Sequence, residues 1–183
     1  NVGIVQQDVF IHTASIGENI AYGKGDASDE EIQEVASLAQ LHEFIAALPD
    51  QYDTVVGERG GGLSGGQKQR LSIARTILMN PPVLIFDDST SSVDAHTEHL
   101  VQEGLEEVMQ GRTTFVVTNR LSAIRGADTI LVFKDGSIEQ RGTHEELLAK
   151  GGEYVNLYES QLKPMEEAAL HEVQKSGEED GLD

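Results

Sequence analysis

Cysteine is absent from the 183 residues, so the chain can hold neither a disulfide framework nor a thiolate metal site. That fits a reducing compartment. Basic residues are scarce: 13 Lys and Arg stand against 32 Asp and Glu, a formal net charge of -19. So acidic a surface argues against general binding to a polyanion such as DNA, which needs Lys and Arg to neutralise phosphates. Long apolar runs are missing too. Runs such as Val83-Leu84-Ile85-Phe86 and Ile130-Leu131-Val132-Phe133 fall far short of the roughly 20 residues that cross a bilayer. No signal-peptide pattern opens the chain. Asn1 leads directly into what reads as a strand, the pattern expected of a piece of a longer protein. One further absence bears on chemistry: no G-x-x-x-x-G-K-[ST] phosphate loop occurs anywhere. Gly57 to Gly66 cannot replace it, because no Lys-Ser or Lys-Thr pair follows at the required spacing.

What is present reads as an alternating α/β domain. Val2 to Val5 is a strand followed by a polar connector. A helix starts at Ser28, where Ser28 and Glu31 have capping-box spacing, and Ile32, Val35, Ala36 and Leu38 recur at helical intervals. A short helix over Leu41 to Leu48 stops at Pro49, and the glycine-rich stretch 50–66 reads as loop. The next helix spans Gln67 to Met79 and ends at Pro81-Pro82. Val83 to Asp87 is a buried strand, Asp94 to Met109 a helix, Thr113 to Thr118 a strand and Ser122 to Arg125 a short helix. Thr129 to Phe133 and Ser137 to Gln140 form a hairpin through Lys134-Asp135-Gly136. Thr143 and Glu146 cap a final helix. Continuous apolar strands alternating with helices imply a sheet covered on both faces. Residues 163–183 are acidic, poor in apolar residues and read as a disordered tail.

Two stretches carry chemistry. Ser64, Gly65 and Gly66 stand immediately before a helix, where unpaired backbone N–H groups and the helix dipole favour an anion. Glycine lets a phosphate approach the main chain, and the Ser64 hydroxyl can add a hydrogen bond. A lone Ser-Gly-Gly is more often a plain helix cap. The second stretch, Val83 to Asp88, is an apolar strand ending in two carboxylates, which alone would pass for solvated acids at a strand end.

The whole run Leu63 to Arg75, LSGGQKQRLSIAR, resembles the signature motif of ABC transporter nucleotide-binding domains and the helix after it. Val83 to Asp88 then resembles the family's Walker B strand. The resemblance covers about residues 1–162, with a helical subdomain at about 8–66. It implies a P-loop NTPase (RecA-like) α/β fold: a partial parallel sheet with an inserted α-helical signature subdomain. It also implies ATP and Mg²⁺ as cofactors. Asp87 takes the metal role with Gln7, the Q-loop position for which Gln6 is the competing candidate. Asp88 takes the catalytic position, Ser91 and Asp94 the D-loop, and Ser64, Gly65, Gly66 and Gln67 contact the ATP of a partner domain. Thr54 to Gly60 resembles the X-loop of exporters. The implied partners are a second nucleotide-binding domain and an exporter's transmembrane domain at the cytoplasmic face of the cell membrane, with no nucleic acid.

Two departures from the family pattern matter. Asp88 stands where the family usually has Glu, and a carboxylate misplaced by about 1 Å can lose about 10²-fold in rate. Asn119 stands where the switch histidine is expected; it can donate a hydrogen bond but cannot transfer a proton near neutral pH. With the signature intact and the catalytic pair altered, the expectation is a degenerate-site half of a heterodimeric exporter, the isolated chain being catalytically silent. One alternative, a soluble ABC-type ATPase of DNA repair or chromosome maintenance, calls for coiled-coil heptads or basic stretches, and neither appears. The other is a non-hydrolysing regulatory module. His96 and His99, at i and i+3, read as an exposed helix face and not a metal site.

Overall fold

The computed structural model describes residues 2–6, 9–87, 105–106, 108–118 and 124–164. The chain divides into two compact units, Asn1–Val117 and Thr118–Asp183.

In the first unit, strands β1 (Val2–Val5), β2 (Val83–Asp87) and β3 (Thr113–Val117) make a parallel sheet in that order. Parallel neighbours cannot be joined by a tight turn, so the chain from β1 to β2 must cross over. It does so through helices α1 (Ile16–Ala21), α2 (Asp29–Leu38), α3 (His42–Ala46) and α4 (Gly65–Leu78). The first three helices lie within the stretch of about 8–66 where the sequence implied a helical insertion, and α4 starts at its end. Each helix turns its apolar stripe inward: Ile16 and Ile20 from α1, Ile32 and Val35 from α2, Leu71 and Ile73 from α4. They meet Val5, Leu84 and Phe86 of the sheet in one core. Full burial of a Leu or Ile stabilises by about 1.5–3 kcal/mol. Where β1 passes the end of α4 the fit is tight. A Cβ on Gly3 would lie 2.6 Å from Pro81 Cγ and 2.8 Å from Thr76 Cγ2.

Three local readings change. The connector after β1 contains a helix, α1, started by a full Ser15/Glu18 capping box. Its six residues, with Gly17 inside, are too few to show periodicity. Helix α4 starts at Gly65, two residues earlier than read, because the Ser64 cap overrides the low helix propensity of glycine. The stretch 50–66 contains two 3₁₀ turns, Gln51–Asp53 and Glu58–Gly60. Sheet coverage differs as well. Gly3 and Val5 are buried, whereas Val2, Ile4, Phe115 and Val117 are each about half exposed. Apolar runs suit burial on both faces, but periodicity cannot tell which faces find a partner.

In the second unit, β4 (Ile130–Lys134) and β5 (Ser137–Gly142) form the antiparallel hairpin expected. Asp135 (φ 49) and Gly136 (φ 77) both take the left-handed conformation that its two-residue turn requires. Helix α5 (His144–Lys150) carries the Thr143/Glu146 box, and α6 (Glu153–Leu157) follows. Val132, Leu147 and Tyr154 form a small core, with His144 Nδ1 2.6 Å from the Tyr154 hydroxyl. Among the described residues no helix is long and apolar enough to cross a membrane.

Candidate functional site

The loop that delivers Ser64 is folded on itself. Gly60 and Leu63 N–H groups donate to Gly57 and Gly60 carbonyls, and Gly57 N–H donates to Gly61 O. Gly60 (φ 77) and Gly62 (φ 97) occupy the left-handed region that lets so short a loop turn back. Ser64 is then extended (φ -67, ψ 164) and becomes the cap of α4. Its Oγ accepts the Gln67 N–H at 3.3 Å, and Gln67 Oε1 accepts the Ser64 N–H at 2.8 Å. Oγ accepts in this bond, so its own proton stays available to an outside acceptor. At the start of a helix the N–H groups of Gly65 and Gly66 have no intrahelical acceptor. Ser64 and Gly65 are exposed, so a phosphate can reach the Ser64 hydroxyl and the Gly65 N–H, whereas Gly66 is itself buried.

The charge around this cap is distinctive. Helices α1, α2 and α5 close their boxes with Glu18, Glu31 and Glu146, and each has acidic residues in its first turn. Helix α4 closes its box with neutral Gln67 and has no acid in its first turn. In a chain of charge -19, the same hydrogen bonds are kept while the positive end of the dipole stays uncompensated. These residues fit an anionic phosphate group.

The carboxyl edge of the sheet is the second locus. Val5 lies opposite Phe86, and Asp87 opposite Val117. Gln6 and the exposed Asp87 therefore lie side by side at that edge of the first unit. In open parallel sheets this is where ligands bind. Gln7, Asp88, Ser91, Asp94 and Asn119 lie outside the described residues, as do His96 and His99. Among the described residues no group of three or more His, Cys, Asp or Glu could hold a metal, so Asp87 is the described member of the expected Mg²⁺ set. No hydrogen bond among the described residues joins Ser64 to Gln67 with Asp87: signature and edge are separate loci. The described histidines have other partners. His12 stacks on Tyr22, His42 Nδ1 lies 2.9 Å from the Tyr52 hydroxyl, and His144 pairs with Tyr154.

Comparison with known proteins matches these loci to a family. Residues 1–91 match the family described as ABC transporter. A solved structure of a bacterial Atm1-family ABC exporter with ATP bound superposes with a TM-score of 0.82 at 45% identity, over 86% of this chain and 27% of that one. The chain belongs to the ABC transporter nucleotide-binding domain family. Among its relatives, an uncharacterized ABC transporter ATP-binding protein of Bacillus subtilis, YknU, is 55% identical over 163 residues, 89% of this chain. A putative multidrug export ATP-binding/permease protein of Staphylococcus aureus is 52% identical over 160 residues, 87% of this chain. The ABC chain spans 28% of the length of each of these two relatives.

Sequence reasoning passed over one part of this site. Asn19, fully buried in α1, and Arg75, near the end of α4, tie the connector to the signature helix. The Ser15/Glu18 box that starts α1 lies inside what read as a polar connector. Nothing in the sequence paired residues so far apart.

Proposed function

We propose that this chain is part of an ABC exporter's ATP-binding subunit and contributes Ser64, Gly65, Gly66 and Gln67 to the ATP bound by a partner domain. The observation that carries this reading is the α4 cap. Its exposed Ser64 hydroxyl and Gly65 amide can donate to a phosphate, and its box is closed by a neutral side chain. Closure of two such domains around ATP and Mg²⁺ couples nucleotide binding to a transmembrane domain at the cytoplasmic face of the membrane. Contacts that exist only in the closed state are what allow ligand binding to shift the conformational population.

In this reading the chain's own site is degenerate. Gln7 and Asp87 serve the metal, Ser91 and Asp94 line the dimer crossing, and Asp88 with Asn119 form a weakened catalytic pair. The partner is then a different chain with an intact pair, and the isolated 183 residues hydrolyse no ATP. Residues 1–162 form the nucleotide-binding part and 163–183 a tail outside it. The test is ATP turnover by the full-length chain without a partner, beside Asp88→Glu with Asn119→His. A nearly silent natural chain that the double change accelerates at least about tenfold, a barrier lowered by about 1.4 kcal/mol, supports the degenerate site. Equal, rapid turnover by both makes the protein a working homodimer.

A further inference from the structure

Asn19 and Arg75 form a knot between segments far apart in sequence. The Asn19 Oδ1 accepts from His12 N–H and from Arg75 Nη2, each at 2.9 Å. Its Nδ2 donates to the carbonyls of His12 and Ser15, each at 3.0 Å. Arg75 donates through Nε to Asn19 O at 2.7 Å and through Nη1 to Phe10 O at 2.9 Å. Its guanidinium carbon lies 5.7 Å from the centroid of the Tyr22 ring, which stacks on His12 at 4.0 Å. The described acceptors of Arg75 are carbonyl and amide oxygens. The guanidinium thus serves as a three-pronged fastener instead of half of an ion pair.

We infer that Arg75 is a positioning residue that makes the connector 9–15 and helix α4 one rigid piece, so that the orientation of the Ser64–Gln67 cap depends on this grip. Arg75 holds one end of a 14-residue rod, and the cap is its other end. A shift of the connector therefore swings the cap. The effect on turnover rests on the function proposed above; the mechanical link does not.

The experiment uses the full-length protein in membranes, with Arg75→Lys and Arg75→Gln, read by backbone amide exchange and by ATP kinetics. A lysine ammonium cannot reach Phe10 O, Asn19 O and Asn19 Oδ1 together, so both changes are expected to act alike. The hydrogen-bonded amides of His12 and of 67–70 should exchange faster in concert, by about tenfold or more. The kcat should fall about tenfold with KM for ATP within about twofold, as when a contact of the closed state is lost. Wild-type exchange in Arg75→Lys overturns the inference, and so does loosening of His12 while 67–70 and kcat hold. If the wild type turns over no ATP, the proposed function fails and the exchange result alone decides the link. If both Arg75 variants fail to fold, Tyr22→Leu at its exposed position replaces them. Joint loosening of both segments then supports the inference, and loosening of one alone overturns it.

Discussion

Replacing Gln67 by Glu separates the helix-capping role of the α4 cap from the phosphate-binding role proposed for it. The carboxylate can accept the Ser64 N–H as Gln67 Oε1 does at 2.8 Å, so the box survives. A negative charge in the first turn also complements the helix dipole and should stabilise α4 by about 0.3–1 kcal/mol. For a bound phosphate the sign reverses. With each hydrogen bond spanning about 3 Å, a phosphate accepting from Ser64 Oγ would sit on the order of 6 Å from the new carboxylate. One pair of unit charges at that distance repels by about 3 kcal/mol at an effective dielectric of about 20, and by about 1 kcal/mol when solvent at this exposed cap raises it to about 60. Binding or turnover that depends on the cap should fall between about fivefold and about 150-fold, while Tm holds or rises. The assay is thermal unfolding beside ATP turnover of the full-length protein assembled with its partner domain. A variant with full turnover would refute the phosphate role of the cap. A variant with a lowered Tm would refute the account of the box.

Two further outcomes follow from packing and titration. Gly3→Ala should destabilise the first unit by about 1–3 kcal/mol, because the methyl must displace Pro81 and Thr76; an unchanged midpoint in chemical denaturation would contradict that packing. Hydrogen bonds from Ser15 hold the Glu18 carboxyl below the ordinary carboxylate range, and bonds from Lys24 and Ser28 do the same for Glu31. Because their folded pKa values are depressed, the stability they add is present above the unfolded value and lost as pH falls through the folded one. The α1 and α2 caps should therefore loosen in acid while the Gln67 cap does not. Carboxyl titration by NMR with amide exchange at each helix start checks this; equal acid sensitivity at all three caps would count against it.

Turn and cap chemistry made much of the molecule legible in sequence. Lys134-Asp135-Gly136 announced the hairpin because few residues accept two successive left-handed conformations. The Ser28/Glu31 and Thr143/Glu146 boxes placed two helix starts through spacings that satisfy backbone donors locally. Leu63 to Gln67 marked the cap of α4, since its chemistry lies within five consecutive residues. Other features depended on groups distant along the chain. Helix α1 is too short to announce itself and exists because Ile16 and Ile20 have a core to enter. Whether an apolar strand face is covered depends on what packs there, which the run Thr113 to Val117 cannot express. The grip of Arg75 on Phe10 and Asn19 joins residues more than fifty positions apart, and only the folded crossover brings them together. Local hydrogen-bond chemistry is written in residue spacing and the sequence determined it; long-range partnership comes from the packing of elements, and the tertiary structure alone decided it.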